Sequence, residues 1–326
     1  MTRIRMMTWC PRAVSGMHLP VFAACEAGLL AEWDLELQFV PSASAPEALA
    51  AGEADFALTC AVHVLRAQTR AAERLPVRFA AALHQRNPIA GVVRADSGAR
   101  RPADLAGARA ARWNIPWFTR EYAGALDHLS VAAPVIVDTP GSLDAALGSG
   151  AVDVLPMWMD DVTPARAQGM MLCHQGEGFK VRAIRLDIPV YSSGLLAADR
   201  VPTEVVRAVR DAICAGHLLQ REQPELGLAG FRRCFPDVAE AHARGNWALY
   251  APYAFEGGVL PGSMDADRWR DTIAYTARTH GLATLPDEQL FRPELLMGPP
   301  AFKPSIDVRS PERLPASRQR VGERIP

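Results

Sequence analysis

Residues 49–65 read Leu-Ala-Ala-Gly-Glu-Ala-Asp-Phe-Ala-Leu-Thr-Cys-Ala-Val-His-Val-Leu, and this stretch decides the fold class. Gly52 ends a short helix that is predicted over 46–51, because glycine readily adopts the left-handed conformation that closes a helix. Phe56–Leu58 is a short apolar run, which predicts a buried strand. The apolar spacing that follows predicts a second helix over 62–73. A helix, a buried strand and another helix in close succession are typical of α/β proteins.

The same alternation continues on both sides of this stretch. Further strands are predicted at Ile4–Thr8, Leu35–Val40, Val77–Leu83, Ile89–Arg94, Arg109–Trp113, Val135–Val137 and Val152–Trp158, with an extended return at Ile184–Val190 and Gly194–Ala197. Further helices are predicted at 18–28, 118–126, 142–147, 201–220, 224–235, 238–250 and 265–281. Because strands joined through helices run parallel, the pattern predicts mixed, mostly parallel sheets.

The 326 residues are enough for two domains, each with its own interior. We expect one lobe to comprise residues 1–91 and 191–298. The second lobe, 92–190, is inserted into the first, and the two crossovers between the lobes form a hinge. Residues 299–326 are rich in Pro and Arg and are expected to form a mobile or wrapping tail.

Composition excludes several function classes. The formal net charge is −1, from 35 Lys+Arg and 36 Asp+Glu, so nucleic acid is not an expected partner. The six cysteines form no C-x-x-C pair and no zinc pattern, so neither a metal nor a disulfide framework is expected. No apolar run is long enough to span a membrane. No signal peptide is visible, so the sequence as written predicts a cytoplasmic protein, or a periplasmic one if a signal was removed.

Several short motifs, in order, carry a resemblance to a known family. They are Trp9-Cys-Pro11, His18-Leu-Pro-Val-Phe22, Glu26-Ala-Gly-Leu-Leu30, Leu49–Phe56, Arg101-Pro-Ala-Asp-Leu-Ala-Gly107, Leu147-Gly-Ser-Gly-Ala-Val-Asp153 and Leu290-Phe-Arg-Pro-Glu-Leu-Leu296. The chain resembles the thiamine-pyrimidine synthase and pyrimidine-binding family, which also includes alkanesulfonate- and nitrate-binding proteins. The resemblance implies the two-lobed fold of type II periplasmic binding proteins.

The resemblance also implies a function. It points to the substrate-binding component of an ABC transporter, which would close on a small, planar, anionic ligand such as a pyrimidine or a sulfonate and work with an ABC permease. No cofactor is expected. The alternative is a cytoplasmic enzyme on the same fold, a decarboxylase or desulfinase that acts on an aromatic acid.

His63 and Cys10 are the two catalytic candidates. In the pyrimidine synthases of the family, a histidine matching His63 is consumed and a lysine four residues earlier holds pyridoxal phosphate. Thr59 stands at that earlier position, so no Schiff base can form there and synthase activity is excluded. His63 is then a ligand contact or a core histidine. Cys10 resembles the nucleophile of a desulfinase of this fold, but the assisting histidine and arginine have no counterparts in 39–49.

The remaining ligand-binding candidates each have a structural alternative. In the first lobe, Trp9 either stacks on a ligand ring or packs on its own lobe, His18 either contacts an anion or caps its helix, and Cys60 lies beside His63. Candidates of the second lobe are Asn114, Trp117, Trp158 and Asp160, which follow strand ends and could equally pack or cap a helix. Candidates on the crossovers are Arg86, Tyr191 and Ser192, of which Arg86 could instead form a surface ion pair.

Overall fold

Two β-sheets organise the chain. The computed structural model describes residues 2–9, 17–40, 42–113, 116–139, 141–159, 171–174, 177–286 and 290–291, and all structural statements concern these residues. The first sheet has the order β2-β1-β3-β11-β4 and the second the order β7-β6-β8-β5-β10-β9. The strands are β1 (Thr2–Trp9), β2 (Trp33–Val40), β3 (Phe56–Cys60), β4 (Val77–Ala82), β5 (Ile89–Arg94), β6 (Arg109–Ala111), β7 (Val135–Val137), β8 (Val154–Trp158), β9 (Met171–His174), β10 (Glu177–Arg185) and β11 (Ser193–Ala198).

The predicted helices are present, with shifts of a few residues at their ends. The described helices are α1 (His18–Glu26), α2 (Ala45–Ala50), α3 (Ala61–Arg70), α4 (Pro116–His128), α5 (Leu143–Gly148), α6 (Thr203–Glu222), α7 (Pro224–Cys234), α8 (Glu240–Ala254) and α9 (Ala266–His280). Within the described ranges, none of these helices combines the length and the apolar character needed to cross a membrane.

The sheets are mixed, as predicted, but they are not mostly parallel. Among the described strands, four neighbouring pairs are parallel and five are antiparallel. The antiparallel pairs involve the strands on either side of the passages between the sheets. β11 returns from the second sheet and inserts between β3 and β4 in the opposite direction to both. The prediction overestimated parallel pairing because it extended the helix–strand alternation to the whole chain, although the described residues include no helix directly before β5 or β11.

The chain passes between the sheets twice. It leaves the first sheet at the end of β4 and enters the second at Ile89, and it returns after β10 to enter β11 at Ser193. We call residues 83–88 and 186–192 the crossing segments. The predicted division into lobes at 92 and 190 stays a prediction, and the predicted tail, 299–326, lies outside the described residues.

Helix α9 packs on α3 and α4, so it contacts helices associated with both sheets. Its contact with α4 is close at Gly124. A Cβ atom added there would lie 2.4 Å from Thr279 Cγ2 and 2.5 Å from Thr279 Oγ1. The glycine is therefore required by the approach of the two helices rather than by its backbone conformation.

Replacing Gly124 with alanine should separate α4 from α9. We expect Gly124→Ala to destabilise the protein by about 1–3 kcal/mol, because overpacking a close contact forces backbone shifts. Chemical denaturation measures the loss. Thr279→Ala in the same chain removes the two nearest atoms, and it should recover part of the stability. A Gly124→Ala protein as stable as the wild type would contradict this packing.

His84, from the first crossing segment, belongs to a buried cluster with Tyr250 and His217. The rings of His84 and Tyr250 are 4.9 Å apart, and His217 Nε2 lies 2.7 Å from the Tyr250 hydroxyl. The other ring nitrogen of His217, Nδ1, lies 2.9 Å from the carbonyl oxygen of Ile213. Burial lowers the pKa of His84 to about 3 and that of His217 to about 4. Both side chains are therefore neutral near pH 7.

Because His84 and His217 are buried without charge, we expect the protein to lose stability in acid. Their pKa values in the folded chain lie below the unfolded value of 6.5, so between about pH 6.5 and 3 the unfolded chain binds protons that the folded chain does not. The free energy of unfolding should fall by up to about 1.4 kcal/mol per pH unit for each group as pH decreases through this window. His84→Phe keeps the ring packing and should flatten the slope. A slope equal to that of the wild type in His84→Phe would contradict the burial of an uncharged His84.

Candidate ligand-binding cleft

A pocket lies where the crossing segments, the end of β3, the end of β8 and helices α4 and α9 meet. It encloses about 240 Å³ of space between atoms, part of which is open to solvent. We call it the cleft pocket. Its lining residues are Cys60, Ala61, Val62, Asn87, Glu121, Trp158, Val190, Tyr191, Ser192, Tyr275 and Thr276. Both sheets contribute to it, through β3 and β8.

One side of the cleft pocket continues into a cluster of aromatic rings. The rings of Trp117 and Trp158 are 5.4 Å apart, and Phe118 lies 6.0 Å from Trp158. His63, from the first turn of α3, meets Trp117 edge-on at 5.1 Å. We call these four side chains the aromatic wall. Trp158 lines the pocket and is buried, whereas Trp117 is partly exposed and adjoins the pocket through its contact with Trp158.

His63 contributes a neutral ring to this wall. Burial, with smaller contributions from Arg66 and His280, lowers its pKa to about 4. An uncharged imidazole at neutral pH can pack against a ligand or exchange a hydrogen bond with it. It does not supply a positive charge to an anion.

The first sheet supplies the floor of the cleft pocket. Cys60 immediately precedes α3, and its Sγ lies 3.4 Å from the Ser193 hydroxyl. The amide of Ala61 donates to the carbonyl oxygen of Ser192 at 2.7 Å. The start of α3 is therefore tied directly to the second crossing segment, which brings Cys60 and Ser192 to one place.

Glu121, from α4, supplies the one carboxylate among the described lining residues. Its Oε2 atom lies 2.6 Å from Nε2 of His280, and its Oε1 atom accepts a hydrogen bond from Nδ2 of Asn87. Asn87 is on the first crossing segment and His280 ends α9. One buried carboxylate thus joins three parts of the chain at the edge of the pocket.

Tyr191 lines the pocket but is held by residues at the start of α9. Its hydroxyl accepts a hydrogen bond from the amide of Asp265 at 2.8 Å, and its amide donates to Thr272 Oγ1 at 2.9 Å. The guanidinium of Arg268 lies 5.1 Å from the centre of its ring. These contacts fix the second crossing segment against α9.

Of the predicted site residues, the structure brings together Cys60, His63, Trp117, Trp158, Tyr191 and Ser192. Two others lie apart from the cleft pocket. His18 is buried at the start of α1, where its ring stacks on Phe22 at 6.4 Å, so it does not face solvent. Arg86 pairs with Glu256 and donates to the carbonyl oxygen of Asp187 at 3.1 Å.

Four predicted residues have no described side chain. Trp9 ends β1, but its side chain lies outside the description, and Cys10, Asn114 and Asp160 lie wholly outside the described residues. Their roles stay predictions. Among the residues that are described, no group of three or more His, Cys, Asp or Glu side chains is placed to hold a metal ion.

Sequence reasoning missed Glu121, Tyr275, Thr276 and His280. Glu121 and His280 are 159 positions apart and each falls inside an ordinary helical pattern. A histidine just before Gly281 is favourable at a helix C-terminus, so its position gave no reason to expect a role in a binding site. No local signal links the two, since their pairing arises only when α9 packs on α4.

The sequence model described as NMT1/THI5 like matches residues 15–226, which is more than half of the chain. This chain belongs to the NMT1/THI5-like family. The prediction from the sequence motifs is thereby confirmed at the level of the family. No curated protein sequence matches this NMT1/THI5-like chain.

Solved structures are similar to this family member in fold. The periplasmic aliphatic sulphonate binding protein SsuA from Escherichia coli is 16% identical with a TM-score of 0.65, covering 90% of this chain and 92% of that one. SsuA from Xanthomonas axonopodis pv. citri, bound to MOPS, is 16% identical with a TM-score of 0.56, covering 90% and 95%. A variant of DSZB in complex with biphenyl-2-sulfinic acid is 16% identical with a TM-score of 0.52, covering 90% and 97%. At these identities the likeness confirms the periplasmic binding protein fold.

The two tryptophans of the aromatic wall should respond differently to truncation. Trp158→Ala should cost about 3–5 kcal/mol of stability, because the ring is buried among packed aromatic side chains. Trp117→Ala should cost only about 1 kcal/mol, since the side chain is partly exposed. Denaturant titration of both variants measures the difference. Equal losses of stability would contradict the assignment of Trp158 as buried and Trp117 as partly exposed.

Proposed function

We propose that this NMT1/THI5-like protein is a solute-binding protein that holds a small, flat molecule in the cleft pocket. The observation that carries the proposal is the position of that pocket. It lies between two sheets, beside both crossing segments, with an aromatic wall on one side and polar groups on the other. A concave site with aromatic lining and a few converging polar groups is the usual form of a small-molecule site.

The aromatic wall supports a planar ligand. Aromatic faces favour stacked or edge-on contact with another ring. Trp117 provides partly exposed ring surface, and the buried, neutral His63 packs edge-on against it. The pocket is small, because its space of about 240 Å³ between atoms includes open solvent, and this favours a small ligand.

The proposal keeps the predicted lobes and partner. Lobe 1 comprises 1–91 and 191–298, lobe 2 comprises 92–190, and the crossing segments act as the hinge on which the lobes close. A protein of this kind would deliver its ligand to the permease of an ABC transporter and would work in the periplasm. The fold likeness to two sulfonate-binding SsuA proteins supports this assignment.

Ligand binding without turnover is the expected behaviour. Purified protein is screened by thermal shift against aromatic amines, heterocycles, MOPS and biphenyl-2-sulfinate, and hits are measured by calorimetry. A ligand at 100 times its Kd should stabilise the folded state by about 2.7 kcal/mol. Mass spectrometry of the recovered ligand should show it unchanged, whereas conversion would contradict the proposal and favour the enzyme alternative.

The variant Trp117→Ala tests whether a hit occupies the cleft pocket. Its affinity should fall by about tenfold, because a ring–ring contact and the associated apolar burial are lost. Trp247→Ala is the matched control, since Trp247 is a partly buried tryptophan on α8 whose ring contacts Tyr250 and Phe255 rather than the aromatic wall. Equal affinity in Trp117→Ala and Trp247→Ala would mean that the ligand binds elsewhere.

A further inference from the structure

Glu121 occupies an unusual place among the residues of the cleft pocket. Its side chain is 6% exposed, so the carboxylate is buried, yet it lines a space that is open to a ligand. Among the described lining residues there is no lysine or arginine beside it. A buried carboxylate is costly unless hydrogen-bond donors surround it.

The donors already present do not saturate the carboxylate. His280 Nε2 contacts one oxygen at 2.6 Å, and Asn87 Nδ2 donates to the other. The Tyr275 hydroxyl also faces Glu121, donating to its carbonyl oxygen at 3.5 Å and hydrogen bonding to its side chain. A carboxylate has about four lone-pair positions, so about one remains. One additional donor in the pocket would therefore be accepted without breaking an existing bond.

The same two bonds hold the carboxylate in one orientation. Asn87 cannot turn its amide freely, because its Oδ1 accepts a hydrogen bond from the amide of Ile89 at 3.2 Å. The His280 ring is buried against α4. An acceptor that is fixed before the ligand arrives loses little freedom on binding, which increases its contribution to affinity.

A fixed carboxylate also disfavours ligands that place another acidic group beside it. A sulfonate or carboxylate placed against the open lone pair of Glu121 would bring two hydrogen-bond acceptors together with no donor between them. An amine, amide N–H or hydroxyl at the same place would complete the hydrogen bonding of the pocket.

We propose that Glu121 is a specificity-determining residue of the cleft: it selects ligands that present a hydrogen-bond donor, above all an amine, to the inner end of the pocket. Any acidic group of the ligand then points away from α4. This inference rests on the proposed binding function and differs from the anionic ligand that the sequence resemblance implies at this end of the site.

Three probes with one skeleton test the inference by calorimetry: benzylamine, benzyl alcohol and phenylmethanesulfonate. The wild-type protein should bind benzylamine tightest and the sulfonate weakest. Glu121→Gln removes the charge and two acceptor positions, so it should weaken benzylamine by about tenfold or more and should not weaken the sulfonate. Asp127→Asn is the matched control, because it removes one carboxylate from an exposed position of the same helix and should leave all three affinities unchanged.

The wild-type order of affinities tests the inference even if Glu121→Gln does not fold. A wild-type preference for the sulfonate overturns it, and so does an unchanged ratio of benzylamine to sulfonate affinity in a folded Glu121→Gln protein. In both of these cases the proposed function stands, provided that Trp117→Ala weakens the binding observed. If neither these probes nor the ligands of the thermal-shift screen bind the wild type, the proposed function and the inference fail together.

Discussion

The hydrogen bonds that join the two crossing segments to each other and to the first sheet determine the geometry of the cleft. The amide of Asn87 donates to the carbonyl oxygen of Ile188 at 3.1 Å, which holds the outward and return passages side by side. The amides of Leu83 and His84 both donate to the carbonyl oxygen of Ser193, at 2.9 and 3.0 Å. Buried backbone groups must find partners, and here the segments between the sheets satisfy one another. The pocket lies beside them for this reason.

The packing around the crossing segments leaves no room for a larger side chain at two glycines. At Gly194, where β11 begins its return through the first sheet, an added Cβ would lie 2.2 Å from the carbonyl oxygen of Ala81. Helix α9 approaches α4 with similar closeness at Gly124. Interiors packed to this density move as whole elements rather than deforming continuously. A change in the relative position of the sheets would therefore be concentrated in the crossing segments and at the contact between α4 and α9.

Much of the fold could be predicted from the sequence because its signals are local. The apolar run at Phe56–Leu58 and the glycine at Gly52 each specify a single element, and Gly52 has the positive φ of +80° expected at a helix end. Strand direction could not be predicted in the same way. The pairing of β11 with β3 and β4 joins residues more than 100 positions apart, and nothing within the return segment indicates antiparallel insertion. The candidate site could also be predicted only in part. Trp117 and Trp158 lie at or just after strand ends, where ligands commonly bind, so they could be identified from the sequence. Glu121 and His280 become neighbours only through helix packing, which the sequence does not show.

The central claim is that a ligand binds between the two sheets, at the cleft pocket. Hydrogen–deuterium exchange, with and without the probe that gives the largest thermal shift, tests it most directly. We expect slower exchange, at the same time, in the first turns of α3 and α4 and in the crossing segment 186–192, with little change in helix α7. Protection confined to α7, or to any single element away from the crossing segments, would contradict binding at the cleft pocket.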